Sequence, residues 1–139
     1  MAEERRLTME AVRRRAGAAG PGTRLAIGAA ANRLATTPRM LRYRENLGLL
    51  PGRRRGGGHR VFGERELLAA ACAAEIEQRY DVSPKSLAFA LHVLADPDAQ
   101  ADVRLLGALA QRLAPTAIAA LDFEAQKGRR LLHMDGGSP

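Results

Sequence analysis

The sequence predicts a mainly α-helical fold with one small β-hairpin, and three observations carry that expectation. Apolar residues recur at helical spacing through most of the chain. Hydrophobic residues make up 46% of the 139, yet aromatics only 4% and Trp is absent. The core must therefore come from Leu, Ala, Val and Ile, which suits packed helices better than a sandwich. A single arginine- and glycine-rich ribbon, Arg53 to Arg60, breaks the helical pattern where a turn belongs. The length fits one domain, or a small domain with a helical extension.

Residues 1–24 are polar and arginine-rich, and they end in the breaker run Gly17 to Gly22. They read as a basic flexible N-terminal arm, at most transiently helical around Leu7 to Val12. From Leu25 the pattern tightens, and Ile27, Ala30, Ala31 and Leu34 line one face of a first helix. Ala35 and Thr36 interrupt it. Thr37 then supplies a capping hydroxyl and Pro38 stands at the first helical position, where a missing N–H costs nothing. This second helix runs through Met40, Leu41, Arg42, Tyr43, Arg44, Glu45, Asn46 and Leu47, and Gly48 closes it with the left-handed conformation common just past a helix end.

Pro51 ends helix propagation, and Arg-Arg-Arg-Gly-Gly-Gly-His-Arg followed by Val61-Phe62 predicts a hairpin. Glu64 starts a third helix with Leu67, Leu68, Ala71, Cys72, Glu75 and Ile76 on one broad face. Glu75 and Glu77 point in diverging directions and read as surface charge. Ser83-Pro84 opens a fourth helix with Leu87, Ala88, Leu91 and Leu94 inward, and Asp96-Pro97-Asp98 breaks it. Beyond Ala99 the composition is helical. Val103, Leu106, Ala110, Leu113, Ala117 and Ala120 follow the spacing of a coiled-coil seam, which Pro115 divides into two shorter helices.

Charge is unevenly placed. Residues 1–24 carry six Arg against three Glu (+3), residues 25–67 nine Arg against three Glu (+6), and residues 68–139 seven Lys and Arg against nine Asp and Glu (−2). A basic front on a mildly acidic back is the footprint of a polyanion binder, since Arg neutralises phosphates and releases counterions. No basic amphipathic helix with Trp or Phe on its apolar face points to a membrane surface. One cysteine, Cys72, allows no disulfide within the chain, and with no signal-like apolar run the expected setting is cytoplasmic.

Cys72, His92 and His133 are too scattered for a metal site, so no cofactor is expected. No phosphate-binding glycine loop, Gly-x-Ser-x-Gly or His-Glu-x-x-His occurs, so no catalytic residues are assigned and an enzyme is not expected.

The order helix, tight turn, helix, basic hairpin, helix, helix is a winged helix-turn-helix. Ile27-Gly28, Thr37-Pro38-Arg39-Met40-Leu41-Arg42-Tyr43, Glu45, Gly48-Leu49-Leu50 and Gly57-Gly58-His59-Arg60-Val61-Phe62 with Glu64 and Leu67 resemble the MerR family of bacterial transcription regulators, over about residues 25–95. Ala35 replaces the usual turn glycine, Arg44 stands where a second tyrosine is common, and His59 replaces the wing tyrosine.

The resemblance implies a DNA-binding domain at residues 25–95, with the Pro38-to-Leu47 helix in the major groove. Arg39 and Arg42 then reach bases or phosphates and Tyr43 meets the backbone. Arg53, Arg54, Arg55, His59 and Arg60 form a wing on flanking phosphates. It also implies a helical dimerisation tail at residues 96–139, a homodimer on palindromic double-stranded promoter DNA, and RNA polymerase as partner. The tail holds no cysteine for a thiolate sensor. Its apolar residues read as dimer core or as a small pocket for an apolar effector. The alternatives are an architectural or excisionase-like DNA-binding protein without effector sensing, and an interaction module whose helical tail recruits a partner protein.

Overall fold

In a computed structural model describing residues 6–51 and 60–114, the chain divides into two units, Met1–Leu91 and His92–Pro139. The elements are mainly helical, as expected. They run α1 (Met9–Arg15), β1 (Leu25–Ala26), α2 (Ile27–Arg33), α3 (Pro38–Asn46), β2 (Val61–Phe62), α4 (Glu64–Tyr80), α5 (Pro84–Ala95) and α6 (Pro97–Leu109). The turn of the expected hairpin, residues 52–59, lies outside the described residues. The strand partner of Val61-Phe62 is Leu25-Ala26, antiparallel, with Leu25 opposite Phe62 and Ala26 opposite Val61. The first helix starts at Ile27, directly after this strand. That short ladder delivers Phe62 into the core, where Phe62, Leu41 and Leu67 are the largest fully buried side chains. Each such burial stabilises by about 2–3 kcal/mol.

The N-terminal segment is a correction. Thr8 caps α1 by accepting from the Ala11 N–H at 3.2 Å. Val12, Ala16 and Ala19 are buried in the same cluster as Leu41, Phe62 and Leu67. A spacing of four puts the first two on one helical face, and α1 packs on α4. Arg15 completes the docking: its Nη1 donates to Glu75 Oε1 at 3.1 Å and to Gln78 Oε1 at 3.0 Å. Seven of the fourteen buried apolar residues described are alanine, so the helices meet at close backbone range. The arginine-rich composition and the glycine breakers that predicted a flexible arm gave no sign of this alanine-lined packing.

The hydrogen bond from Arg15 is the main force holding the Glu75 carboxyl below its ordinary value, against the opposing push of partial burial and with help from Arg79. A carboxylate depressed in the folded state contributes stability that is full above its unfolded pKa, near ~4.3, and is lost as pH falls through the lower folded one. The thermal midpoint should therefore fall as pH drops from neutral to below about 4. Glu75→Gln should flatten that acid limb, and a limb unchanged in the variant contradicts the assignment.

Helix ends show how local sequence sets the breaks. α3 ends in a Schellman motif: Leu49 N–H donates to Arg44 O at 3.0 Å and Gly48 N–H to Glu45 O at 3.0 Å, with Gly48 at φ +79°. The predicted Thr37 cap is also present, accepting from the Met40 N–H at 3.1 Å. α2 ends in the same motif, with Thr36 N–H to Ala31 O at 2.9 Å and Ala35 N–H to Asn32 O at 3.3 Å. There the left-handed position is Ala35, at φ +53°. An alanine Cβ is strained in that region by roughly 1–2 kcal/mol, part of which a glycine returns through its looser unfolded chain. Ala35→Gly is expected to stabilise the domain by about 1 kcal/mol net, read as a rise of a few degrees in thermal midpoint.

α4 opens where Gly63 N–H donates to Glu66 Oε2 at 3.0 Å and buries Leu67, Ala70, Ala71 and Ala73. α5 and α6 differ from expectation. No residue of either is buried, and Leu91 and Leu94, expected inward, are 45% and 76% exposed. α6 begins on the Asp96 cap and ends at Leu109, well before Pro115. Its end is set by Gln111 at φ +56° and by the chain folding back, with Leu113 N–H donating to Gly107 O at 3.1 Å. A Cβ at Gly107 would meet the end of the Leu113 side chain at 2.5 Å, so a larger residue there would displace Leu113. Residues 115–139, including the second tail helix expected after Pro115, lie outside the described residues.

Candidate nucleic-acid interface

The two faces of α3 have different jobs. Leu41 and Arg44 point into the protein and are buried. Arg39, Arg42, Tyr43 and Asn46 are exposed, and their spacing of three, four and seven from Arg39 sets all four on one face. Thr37, Arg39, Met40 and Tyr43 line a shallow surface depression at the start of that face. Three of these exposed residues were expected as DNA contacts. Asn46 was missed, although stepping three from Tyr43 or four from Arg42 reaches it. An exposed Asn carries a donor and an acceptor side by side, the pattern that pairs with an adenine edge.

Behind the exposed face, two ion pairs hold the helix. Arg44 donates through Nε to Glu77 Oε2 at 3.1 Å and through Nη2 to Glu77 Oε1 at 3.0 Å. Their side chains are only 9% and 12% exposed, so this is a forked pair largely removed from water. Glu75 and Glu77, expected as surface charge, do diverge as predicted, but each meets an arginine of another helix: Arg15 of α1 and Arg44 of α3.

Arg60 is also turned inward. It ion-pairs with Glu45, donates through Nη2 to Pro51 O at 3.2 Å and stacks over the Phe62 ring with 4.9 Å to the centroid. Expected as a wing contact to phosphate, Arg60 has its guanidinium against Glu45 of α3, Pro51 and Phe62. The remaining wing candidates, Arg53, Arg54, Arg55 and His59, lie outside the described residues.

Burial, then the negative charge of Glu75, push the Cys72 thiol up, which makes it a poor nucleophile and metal ligand at neutral pH. Among the described residues no group of three or more His, Cys, Asp or Glu side chains comes together to hold a metal ion. No helix there is long and apolar enough to cross a membrane.

The geometry is that of a helix-turn-helix with a short sheet beside it, presenting a cationic, hydrogen-bonding helix face. Residues 27–62 match the family model described as MerR family regulatory protein. The matched segment runs from the first residue of α2 to the last of β2. Neither a curated protein nor a solved structure matches the chain.

Proposed function

We propose that the chain is a DNA-binding transcription regulator that acts as a dimer recognising palindromic promoter DNA, a reading supported by the match of residues 27–62 to the family model described as MerR family regulatory protein. The observation that carries the DNA reading is the exposed α3 face of Arg39, Arg42, Tyr43 and Asn46 on a helix whose back is fixed by two ion pairs. In this reading Arg42, Arg39 and Asn46 address base edges in the major groove, Tyr43 meets the backbone, and Arg53, Arg54, Arg55 and His59 lie along flanking phosphates. Arg60 supports the wing from behind. RNA polymerase, engaged at the same promoter, is the proposed protein partner.

Pairing of two copies is supported by the apolar residues left in water. Leu94 on α5, and Leu105, Leu106 and Leu109 on α6, are all exposed. Several large apolar side chains exposed on two consecutive helices support an association surface. A twofold pair reads two half-sites and roughly doubles the contact energy of one short reader.

Selection of binding sites from random duplexes by the purified protein, followed by footprinting, tests the proposal. The expected result is an inverted repeat protected as one unit, with affinity falling steeply with salt: ~8 phosphates neutralised per dimer give a log–log slope near −7. Uniform coverage of long tracts favours an architectural binder. Sedimentation equilibrium is expected to show a dimer that Leu106→Glu with Leu109→Glu dissociates, and a monomeric wild-type protein removes the dimer from the proposal.

A further inference from the structure

We propose that Arg44 and Glu77 are positioning residues that set the rotation of α3, and through it the sequence preference of the protein; this rests on the DNA reading above. The apolar side chain that seats α3, Leu41, is fully buried, but packing of this kind is non-directional and tolerates sliding. The forked pair does not. Two bonds at 3.1 and 3.0 Å from one planar guanidinium to both oxygens of one carboxylate fix an angle as well as a distance. Arg44 follows Arg42 by two positions and so lies about 200° around the helix from it, on the side away from the exposed face. A group about 5 Å from the axis moves ~2 Å when the helix turns by ~20°, more than the spread of hydrogen-bond lengths. Without the fork, the outward residues keep their charge and lose their aim.

This role differs from a phosphate contact and from plain stabilisation, and binding measurements separate the three. The full chain and its Glu77→Gln and Arg44→Lys variants are titrated with the duplex that the wild-type protein selects and with a scrambled duplex of equal length, well below the melting temperature. Affinity for the selected duplex is expected to fall about tenfold, the scale of one mismatched base pair. Affinity for the scrambled duplex and its salt slope are expected to stay unchanged.

The double variant Arg44→Met with Glu77→Leu keeps the volume apolar and folded, since such replacements of buried pairs are well tolerated. It should show the same loss of discrimination. A double variant that discriminates like the wild-type protein overturns the inference. So does equal weakening toward both duplexes with a shallower salt slope, which would make Arg44 a phosphate contact. A folded wild-type protein that selects no duplex at all overturns the DNA reading itself, and this inference with it.

Discussion

In the Arg42→Ala protein, affinity for the selected duplex is expected to fall by roughly one to two orders of magnitude, with the thermal midpoint unchanged. The reasoning starts from exposure: Arg42 stands in water on α3 and, among the described residues, has no ion pair with an acid. Its removal therefore leaves no buried partner behind. A forked donor pair on a guanine edge contributes about 1–3 kcal/mol of discrimination. The preference should relax at one symmetric pair of positions, read by comparing sites selected by the variant and by the wild-type protein. A variant that keeps the full preference refutes the major-groove assignment of α3. Arg60→Ala offers the contrast, because it strands Glu45 and the Pro51 carbonyl and should lower thermal stability first.

The second large effect concerns α1. Val12→Asp is expected to destabilise the first unit by about 4 kcal/mol, a large part of the 5–15 kcal/mol typical of a whole domain. Val12 is 2% exposed within the cluster that also holds Leu41 and Phe62. A carboxylate there must either lose its hydration or break the contact between α1 and α4. Arg13→Gln, one residue on and exposed, should change stability by less than about 0.5 kcal/mol. Chemical denaturation of both variants decides. Equal stability would mean that the N-terminal helix contributes nothing to the core.

What the sequence revealed divides along a physical line. Features set by neighbouring residues were legible: the Thr37 cap, Pro38 at the first turn, and Gly48 in the left-handed position all stand as read. Features set by distant partners were not. Two-residue strands are too short to show alternation, so the pairing of Leu25-Ala26 with Val61-Phe62 left no trace in the pattern. The N-terminal helix was read as at most transient, because its burial comes from alanines and one valine, whose apolar signal is weak until α4 is placed against them. The end of α6 was misplaced because its left-handed residue is Gln111, which carries no glycine signal.

The arginines make the same point about the site. Arg39, Arg42, Arg44 and Arg60 look alike in a basic sequence. Helical spacing separates Arg44 from the outward pair, and would have found Asn46. Nothing local reveals that Arg60 meets Glu45 fifteen residues back, because that contact exists only once the ladder brings β2 to the helix-turn-helix.

The antiparallel pairing of β1 with β2 has a topological consequence. Leu25 and Phe62 face each other, so everything between them is a ring whose entrance and exit share one doorway. Exchanging that ring for a homologous one requires that the incoming ends reach the same two neighbouring points and that the incoming helix bring an arginine to Glu77. With that pair kept, the segment between the two strands is exchangeable as one piece. A chimera joined at those two strands should acquire the donor's operator while keeping the recipient's assembly state.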